Sequence, residues 1–464
     1  MALLERLAGI WKAQAPGIVR SEPMTAWPNG KTWPEGGERR NGAFPHFRLT
    51  AGDQNNPLLR DGLADVRSRL RNAFTPSQPM NDRNLFAGRT ALLASVIRAI
   101  EDERLHVVIY GQRGIGKTSV MHILAQTASE ARYRLTYVSC GASSNFDETF
   151  RLISQSVPLL FHSAYGPTSP EAEKGATFAD LLSGAAVTPR VAADLLAKLT
   201  GTRLIVMLDE FDRVESAEFR LRIAEFIKTL SDRLVRVHVV IAGVAANVAE
   251  LLAYTPSIQR GLFAVEAPPM TEDEIRLLVK LGQRATGISF EEVAIDCIVT
   301  VADGLPYLAS LLSHHAALAA LDDGRIEVTK MDVAAALDRT IRDFENRIPQ
   351  PLRKDLDGLL NENRLQILGV LAKQAQADHG EFTLATSAAS TIESAEWRQS
   401  LVSLLIAEGV LTEQGESGGQ TRFRFVEDSL PNYLWLAASR SRMRTQPFGA
   451  VSSPALHSLD SVAQ

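Results

Sequence analysis

The sequence predicts an α/β protein in which helices cover both faces of a parallel β-sheet. From residue 85 to residue 268, short apolar runs alternate with longer segments whose apolar residues recur at helical spacing. Buried parallel strands read as continuous apolar runs, and each crossover to the next strand takes a dozen or more residues. The alternation therefore indicates successive βαβ units. The predicted strands span 106–110, 134–139, 204–208 and 235–242, and the predicted helices span 89–103, 118–132, 146–161, 191–199 and 219–230.

The composition argues against several classes of protein. A chain of 464 residues with 45% hydrophobic residues can form two or three domains with substantial cores. Its net charge of −5 argues against a surface that binds nucleic acid throughout. No run of about 18 apolar residues occurs, so we expect a soluble cytoplasmic protein without a membrane span. Cys140 and Cys297 are far apart, so we expect buried free thiols and neither a disulfide nor a zinc pair.

A glycine-rich segment from Gly111 to Thr118 matches the pattern GxxxxGK[ST]. It follows a predicted apolar strand and precedes a predicted helix, which is the context that the motif requires. Glycines let backbone N–H groups curve around phosphate oxygens, and the following helix presents its positive end. We therefore predict a P-loop in which Lys117 binds the β- and γ-phosphates and the hydroxyl of Thr118 ligates Mg²⁺. The predicted nucleotide contacts of the loop are Gly111, Gln112, Arg113, Gly114, Ile115, Gly116, Lys117, Thr118 and Ser119.

Two acids follow the apolar run at 204–208 and are the second part of the predicted site. Asp209 and Glu210 are delivered to the carboxyl end of a strand, where ligands of α/β sheets bind. We expect Asp209 to hold Mg²⁺, directly or through water. We expect Glu210 to orient or deprotonate the attacking water, with Lys117 as the second catalytic residue. ATP and Mg²⁺ are thus the predicted cofactors.

Three segments together resemble the AAA+ and STAND-type P-loop ATPases, and in particular their origin-recognition-complex-type branch. They are the Gly-Lys-Thr loop, the Leu-Asp-Glu-Phe-Asp run at 208–212 and the Leu-Phe-Ala-Gly-Arg box at 85–89. The resemblance covers about residues 80 to 345 and, more loosely, the end of the chain. It implies that Phe86, Gly88 and Arg89 lie beside the adenine, and it leaves the role of Asp212 undefined.

The same resemblance suggests roles for residues further along the chain. Arg260 is similar in position to an arginine finger that reaches a neighbour's γ-phosphate, although an ordinary surface arginine is an equal alternative. The Gly-Leu-Pro run at 304–306 is similar to the turn that places a proline, here Pro306, near the nucleotide in STAND lids. As bare residues it is only a loop signal. The polar sensor expected after the 235–242 strand is not evident, and Asn247 is the nearest candidate, so hydrolysis is less well supported than binding.

The carboxyl-terminal part predicts two amphipathic helices, at 364–374 and 396–408, followed by a two-stranded ribbon. This order resembles a winged helix. However, residues 355–437 contain twelve acidic and only five basic residues. A DNA-reading helix brings Lys or Arg to phosphates, so we expect this unit to contact protein or to autoinhibit. Arginine clusters at 67–71 and 440–444 could touch a nucleic-acid backbone, but solvated helix faces are the favoured interpretation.

These observations divide the chain into segments. The predicted segments are an irregular leader (1–80), a P-loop ATPase core (81–268), a helical lid (269–350), a winged-helix-like domain (351–440) and a disordered tail (441–464).

The leading functional hypothesis is an AAA+/STAND-type ATPase switch that regulates assembly or a partner. Such a protein would act as a homo-oligomer or with a partner protein, and not at a membrane. One alternative is a DNA-associated ATPase of the origin or transposition type, although nucleic acid is not the favoured partner. Another alternative is a nucleotide-binding scaffold with negligible turnover.

Overall fold

The structure, a computed structural model, describes residues 62–445 with short gaps. Most of the predicted leader, and the predicted tail beyond residue 445, lie outside the described residues. The gaps are 167, 183, 185, 234–235, 246, 253–255, 379, 385–394 and 418–419.

A helix, α1 (Gly62–Ala73), lies within the segment for which the sequence predicts an irregular leader. Leu70 and Phe74 at its end are fully buried. A Cβ added to Gly282 would lie 2.0 Å from Cζ of Phe74, so the phenyl ring occupies the space that this glycine leaves free. The helix is rich in charged and polar residues, and for this reason no apolar period reveals it in the sequence.

The next part of the chain alternates strands and helices as predicted. Its elements are α2 (Thr90–Glu101), β1 (His106–Tyr110), α3 (Lys117–Glu130), β2 (Arg134–Ser139), α4 (Phe146–Gln155), α5 (Pro170–Glu173), α6 (Pro189–Leu196), β3 (Leu204–Asp209), α7 (Ala217–Asp232), β4 (Val237–Gly243), α8 (Val248–Leu251), α9 (Pro256–Gln259) and β5 (Leu262–Glu266).

The strands form one parallel sheet in the order β2-β3-β4-β1-β5. Alternate residues of each strand enter different hydrophobic cores, since side chains alternate between the two faces of a sheet. In β3, Ile205 and Met207 enter one core, whereas Val206 and Leu208 enter the other. The predicted fold class, a parallel sheet covered by helices on both faces, is therefore confirmed.

Strand β5 is not among the strands that the sequence predicts. It pairs in parallel with β1, where Leu262 lies opposite His106 and Glu266 lies opposite Tyr110. It is an edge strand of the sheet, and its residues are only partly buried or exposed. Its apolar run, Leu262 to Val265, has only four residues, and a run this short does not distinguish a strand from a segment of buried helix.

After the sheet the chain is mainly helical, as predicted for the lid. The elements are α10 (Glu272–Thr286), β6 (Ser289–Phe290), α11 (Glu292–Ala302), α12 (Pro306–Asp322), β7 (Glu327–Val328) and α13 (Lys330–Glu345). Helix α10 begins with a capping box formed by Thr271 and Glu274. Thr271 Oγ1 accepts a hydrogen bond from the N–H of Glu274 (3.2 Å), and Glu274 Oε2 accepts one from the N–H of Thr271 (2.9 Å). This reciprocal capping box stabilises the first turn of α10, the helix with which the lid begins.

The last unit contains α14 (Gln350–Leu359), α15 (Glu362–Ala377), β8 (Glu381–Thr383), α16 (Ala395–Ala407), β9 (Leu411–Ser417), β10 (Gln420–Phe425) and α17 (Leu430–Thr445). Its sheet has three antiparallel strands in the order β8-β10-β9, where the sequence predicts a two-stranded ribbon. Strand β8 has only three residues, too few for a periodic pattern. The segment between β8 and α16 falls in a gap of the described chain, so the winged-helix assignment stays a prediction.

Helix α17 returns to the lid and belongs to two cores. Leu430 and Leu434 pack in the core of the last unit, whereas Trp435 and Leu436 pack in the core that also holds the lid. The Nε1–H of Trp435 donates to the carbonyl of Val301 in α11 (2.8 Å). The cationic side chains of Lys373 and Arg442 lie over the indole ring at 5.3 and 4.8 Å from its centroid. One tryptophan therefore joins the last unit to the lid.

Two further observations bear on the expectations from composition. Cys140 and Cys297 are both buried and free. None of the helices in the described part of the chain is long and apolar enough to cross a membrane.

Replacing Trp435 by alanine should destabilise the protein, because it opens a cavity and leaves the carbonyl of Val301 without its donor. A loss of about 3–5 kcal/mol is expected, which should lower the thermal unfolding midpoint by about 5–10 °C. Met331→Ala is the control, since this side chain is 75% exposed. A midpoint for Trp435→Ala equal to that of the control would contradict the assignment of α17 to both cores.

The buried His106 should make the fold sensitive to acid. Its Nδ1 accepts a hydrogen bond from the N–H of Val239 (3.0 Å), which requires an unprotonated nitrogen. Burial, and secondarily the neighbouring His238, lower the pKa of His106 from 6.5 to about 3. The unfolded chain therefore binds more protons between these values. The stability contributed by the neutral ring is complete above pH 6.5 and is lost as the pH falls towards 3, at up to about 1.4 kcal/mol per pH unit.

Thermal unfolding between pH 7 and pH 4 measures this contribution. His106→Gln keeps an acceptor that does not titrate, so its unfolding midpoint should fall less steeply with acid than that of the wild type. Parallel pH profiles for the two proteins would show that His106 does not titrate in this way.

Candidate functional site

A cavity of about 390 Å³ lies at the carboxyl ends of β1, β3 and β4, where the lid meets the sheet. Its lining brings together most of the predicted site residues, although they are far apart in the sequence. Those that line it are Phe86, Arg89, Arg113, Gly114, Gly116, Lys117, Thr118, Ser119, Asp209, Glu210 and Pro306. Gly88, Gly111, Gln112, Ile115 and Arg260 lie outside this lining.

The P-loop connects β1 to α3 with a backbone that only glycine adopts readily. Gly111, Gly114 and Gly116 have φ values of 138°, 78° and 94°, in the region that side chains disfavour. Ile115 between them is fully buried and anchors the loop in the core. Gly116 is the N-cap of α3, so the loop leads directly into the positive end of a 14-residue helix. The arrangement is that of an anion-binding nest.

Lys117 is held inside this loop. Its side chain is buried, and Nζ donates to the carbonyls of Gly111 and Gln112, both at 2.8 Å. Burial lowers the pKa of Lys117 to about 8, against the opposing effect of Asp212 and Asp209. The ammonium group is thus held by neutral acceptors in a place where its charge is costly, and an anion in the loop would relieve that cost.

Asp209 is the buried acid at the end of β3. It accepts hydrogen bonds from the N–H of Glu210 (2.8 Å) and from the hydroxyl of Tyr137 in β2. Burial raises the pKa of Tyr137, and the hydrogen bond to Asp209 acts in the same direction, so the phenol stays a donor. Tyr137 therefore fixes the orientation of the Asp209 carboxylate. The sequence offers no motif that would single out this tyrosine.

Glu210 follows in a left-handed conformation, with a φ of 53°. Its side chain is about half exposed. Its Oε2 accepts hydrogen bonds from Oγ of Ser139 (2.9 Å) and from Nη1 of Arg213 (3.0 Å). In this structure the carboxylate is therefore tied to two side chains beside the cavity.

Asp212, whose role the sequence leaves undefined, is hydrogen-bonded to the backbone at the end of β4. Its Oδ1 accepts a hydrogen bond from the N–H of Val244 (2.8 Å). A Cβ on Gly243 would lie 3.1 Å from the backbone nitrogen of Asp212, so the two segments are in close contact. Asn247, the nearest candidate for a polar sensor, caps α8 through the N–H of Glu250 and lies outside the cavity lining. Asp212 and the amide of Val244 thus occupy the zone where the sensor is expected.

The Gly-Arg box contacts the lid. Gly88 has a φ of 61°, and a Cβ there would lie 2.5 Å from Oε1 of Glu274. Arg89 has a φ of 55°, and its N–H donates to the same oxygen (3.1 Å). Nη2 of Arg89 donates to the carbonyl of Pro268, in the segment that joins sheet and lid (2.5 Å). The glycine at position 88 therefore lets the side chain of Glu274 approach the backbone closely. Gly88 does not line the cavity.

The turn before α12 places the lid on the P-loop. Gly304 has a φ of 79°, and its carbonyl accepts from the N–H of Met270 (2.9 Å). Pro306 starts α12 and lines the cavity. The N–H of Tyr307 donates to the carbonyl of Gly114 at 3.4 Å, and a Cβ on Gly114 would lie 3.2 Å from Cβ of Tyr307. The first turn of the lid helix therefore touches the phosphate loop itself.

A family model described as novel STAND NTPase 1 matches residues 73–365, which is more than half of the chain. The chain belongs to this family of STAND NTPases. It is therefore a P-loop NTPase by family as well as by the geometry of its glycine loop. No curated protein matches it.

Solved structures similar to this STAND NTPase are distant in sequence. The Cdc6 protein of Pyrobaculum aerophilum is 16% identical, with 81% of this chain and 99% of that chain covered and a TM-score of 0.43. The ORC2 protein of Aeropyrum pernix is 15% identical, with 81% and 98% covered and a TM-score of 0.43. A Walker-type ATPase of Pyrococcus abyssi is 16% identical, with 78% and 99% covered and a TM-score of 0.46. Similarity at this level assigns no ligand or partner.

Arg260 of this STAND NTPase lies away from its own cavity. It is exposed and stands two residues before the start of β5, at the amino ends of the strands. The P-loop follows the carboxyl end of the parallel strand β1. Arg260 therefore lies at the opposite end of the strands from the P-loop. A contact of Arg260 with the nucleotide of a neighbouring copy stays a prediction.

One wall of the cavity, residues 75–80, is not predicted from the sequence. The N–H of Met80 donates to Oγ of Ser119 in α3 (3.0 Å), which attaches this wall to the helix after the P-loop. Pro76 and Pro79 could have indicated an extended or turn segment here, since prolines favour these conformations. With Phe86 they give the site an apolar side.

The residues around the cavity fit a nucleoside triphosphate with a divalent cation. The glycine nest and Lys117 suit phosphate oxygens, and the oxygens of Thr118 and Asp209 are of the type that Mg²⁺ prefers. Nε and Nη1 of Arg89 have no hydrogen-bond partner among the described residues, although both atoms are buried. Buried donors of this kind are usually satisfied, so a ligand with acceptor atoms fits here.

Gly304→Ala should weaken the attachment of the lid more than an alanine at a comparable turn does. A Cβ at 304 would lie 2.8 Å from the carbonyl oxygen of Met270 and from Cβ of Pro269. Gly324→Ala is the matched control, because Gly324 has a similar φ of 75° but no heavy atom within 4 Å of the added Cβ. The control should cost about 1 kcal/mol from backbone strain alone, and Gly304→Ala about 2–4 kcal/mol.

Thermal unfolding of the two variants measures the difference. Equal losses at 304 and 324 would mean that the close contact between the lid turn and the 268–270 segment does not exist in solution.

Proposed function

We propose that this STAND NTPase binds ATP with Mg²⁺, hydrolyses it, and acts as a molecular switch whose lid and last unit follow the nucleotide state. The observation that supports this most directly is the contact of Tyr307 with Gly114, beside Pro306 in the cavity lining. A lid that rests on the phosphate loop is placed to respond to phosphates in that loop. Hydrolysis would then change what the lid touches.

Phosphate binding is proposed for the P-loop. Its backbone N–H groups and Lys117 face the β- and γ-phosphates, and Lys117 exchanges its carbonyl acceptors for phosphate oxygens. Thr118 and Asp209 are the proposed ligands of Mg²⁺, and Tyr137 keeps the carboxylate of Asp209 in position. Bound Mg²⁺ would supply charge neutralisation on the phosphates.

The apolar side of the cavity is proposed to hold the base. Met80, Leu85, Phe86 and Leu278 line the cavity and come from the 75–80 wall, the box and α10. A purine ring buries its faces well against such side chains. Of the residues that the family resemblance places beside the adenine, Phe86 is the one that the cavity supports most simply.

Hydrolysis is proposed to depend on Glu210 as the residue that orients or deprotonates the attacking water. The carboxylate must face that water, yet Ser139 and Arg213 hold its Oε2 in this structure. The end of β4 brings Asp212 and a backbone amide to the zone where a polar sensor is expected. We therefore propose slow turnover, which suits a switch.

The path from the nucleotide to the last unit is proposed to run through the 303–306 turn. On one side this turn leads into the helix that touches Gly114. On the other side, Oδ1 of Asp303 accepts a hydrogen bond from Nζ of Lys373 in α15 (2.8 Å). A shift of α12 with the nucleotide state would therefore act on the last unit.

A protein partner or a further copy of this chain is favoured over DNA. Each of the two arginine clusters noted in the sequence contains an arginine that forms an ion pair within the protein. Arg67 pairs with Asp322 (2.6 Å), and Arg440 forms a bidentate pair with Asp338 (2.6 and 2.8 Å). The excess of acidic residues in the last unit points the same way. The arginine finger proposed at Arg260 would make turnover depend on assembly.

Glu210→Gln should keep ATP affinity within about threefold and lower turnover by about 100-fold or more, because it removes a general base but keeps the shape of the side chain. Phosphate release and equilibrium binding of ATP measure the two effects. Glu215→Gln is the matched control, since Glu215 is exposed and lies outside the cavity lining. Lys117→Ala should lose measurable binding.

Three results would contradict parts of this proposal. Absence of ATP binding by the wild type would remove it altogether. Binding without turnover, unchanged in Glu210→Gln, would favour a scaffold. Turnover that duplex DNA stimulates, with an effect that weakens as salt rises, would favour the DNA-associated alternative.

A further inference from the structure

We propose that Arg89 binds a phosphate group of the nucleotide in cis, and that it links that phosphate to the junction between sheet and lid. The proposal rests on the proposed nucleotide binding but assigns Arg89 a role other than the base contact that the family resemblance implies.

The guanidinium group of Arg89 is buried and only partly hydrogen-bonded. Arg89 is only 6% exposed and lines the cavity. Nη2 is satisfied by Pro268, whereas Nε and Nη1 have no partner among the residues that the structure describes. Between them these two nitrogens carry three N–H donors. Buried donors without acceptors are costly, so the site is built for a ligand that supplies acceptors.

The guanidinium group lies beside the P-loop. A Cβ added to Gly116 would lie 3.9 Å from Nε of Arg89. The positive charge of Arg89 also contributes to the lowered pKa of Lys117, as expected for two neighbouring cations. Gly116 and Lys117 belong to the part of the motif that faces phosphate. A multiply charged anion satisfies both cations, whereas a neutral base satisfies neither charge.

The guanidinium charge of Arg89 is costly in this buried position. Burial lowers the pKa of Arg89, and the negative charge of Glu274 opposes this effect. Glu274 accepts from the backbone N–H of Arg89 and also caps α10. Its oxygens are therefore engaged with backbone donors. The guanidinium charge remains available for an anion in the cavity.

The attachments of Arg89 give the second half of the proposal. Its backbone N–H holds Glu274 at the start of the lid, and its Nη2 holds the carbonyl of Pro268 just before the lid. A phosphate on Nε or Nη1 would therefore be joined through one side chain to both segments. Phosphate binding should make this junction more rigid.

The test compares nucleotide affinities of Arg89→Met with those of Arg98→Met. Arg98 is an exposed arginine on α2 outside the cavity lining, so it controls for the loss of one positive charge. Arg89→Met should bind ATP and ADP about tenfold more weakly or worse, as the loss of a charged hydrogen bond predicts. The ratio of ATP to GTP affinity should stay within about twofold of the wild-type ratio, and Arg98→Met should bind like the wild type.

Two results would overturn the assignment while leaving the proposed function intact. One is an Arg89→Met protein that binds ATP and ADP like the wild type. The other is a change confined to the ATP-to-GTP ratio, which would assign Arg89 to the base. If the wild type itself binds no ATP, the proposed function fails first, and the assignment of Arg89 fails with it.

A second variant and a wild-type measurement protect the test against a folding defect in Arg89→Met. Arg89→Lys keeps a cation with fewer and differently placed donors, and it should show a smaller loss in the same direction. In wild-type protein labelled with ¹⁵N-arginine, pyrophosphate should shift the Nε–H signal that is missing from Arg89→Lys, and adenosine should not. A signal shifted by adenosine but not by pyrophosphate would overturn the proposal.

Discussion

The hydrogen bond from the amide of Tyr307 to the carbonyl of Gly114 joins the lid helix to the phosphate loop. It favours a glycine on the loop side, because a Cβ there would lie only 3.2 Å from Cβ of Tyr307. The same glycine needs its φ of 78° for the loop to curve around an anion. Gly114 thus meets both a conformational and a steric requirement. With the contacts of Arg89 to Glu274 and of Met270 to Gly304, the hydrogen bond to the phosphate loop holds the lid against the sheet where the cavity lies.

Charge is concentrated around that contact and is only partly compensated. Lys117 and Arg89 are buried, and each holds backbone carbonyls. Asp209 is buried as well, whereas Glu210 is tied to an exposed arginine. Neutral carbonyls do not balance a buried cation as well as an anion does. The site is therefore most favourable when a ligand brings negative charge to the cations and a metal ion brings positive charge to the acids.

The residues that could be predicted from sequence are those whose chemistry requires a fixed local pattern. Strands β1 and β2 have the predicted bounds, since each is a short apolar or β-branched run before a turn. The P-loop and the acid pair are local motifs and could be located residue by residue. Partners at long sequence separation could not be predicted. Arg89 contacts a carbonyl 179 residues away, and Asp212 contacts an amide 32 residues away. Strand β5 could not be predicted because its apolar run of four residues does not distinguish a strand from a segment of buried helix.

Helix α17 has a consequence for how the chain is made. It supplies Trp435, Leu436 and Met443 to the same hydrophobic core that holds Val107 and Ile109 of the first strand. A ribosome releases α17 only after the strands and the P-loop have emerged. The core beneath the lid therefore cannot be completed before α17 has left the ribosome. A product truncated before α17 would contain every motif of the nucleotide site and still lack the helix that completes its core.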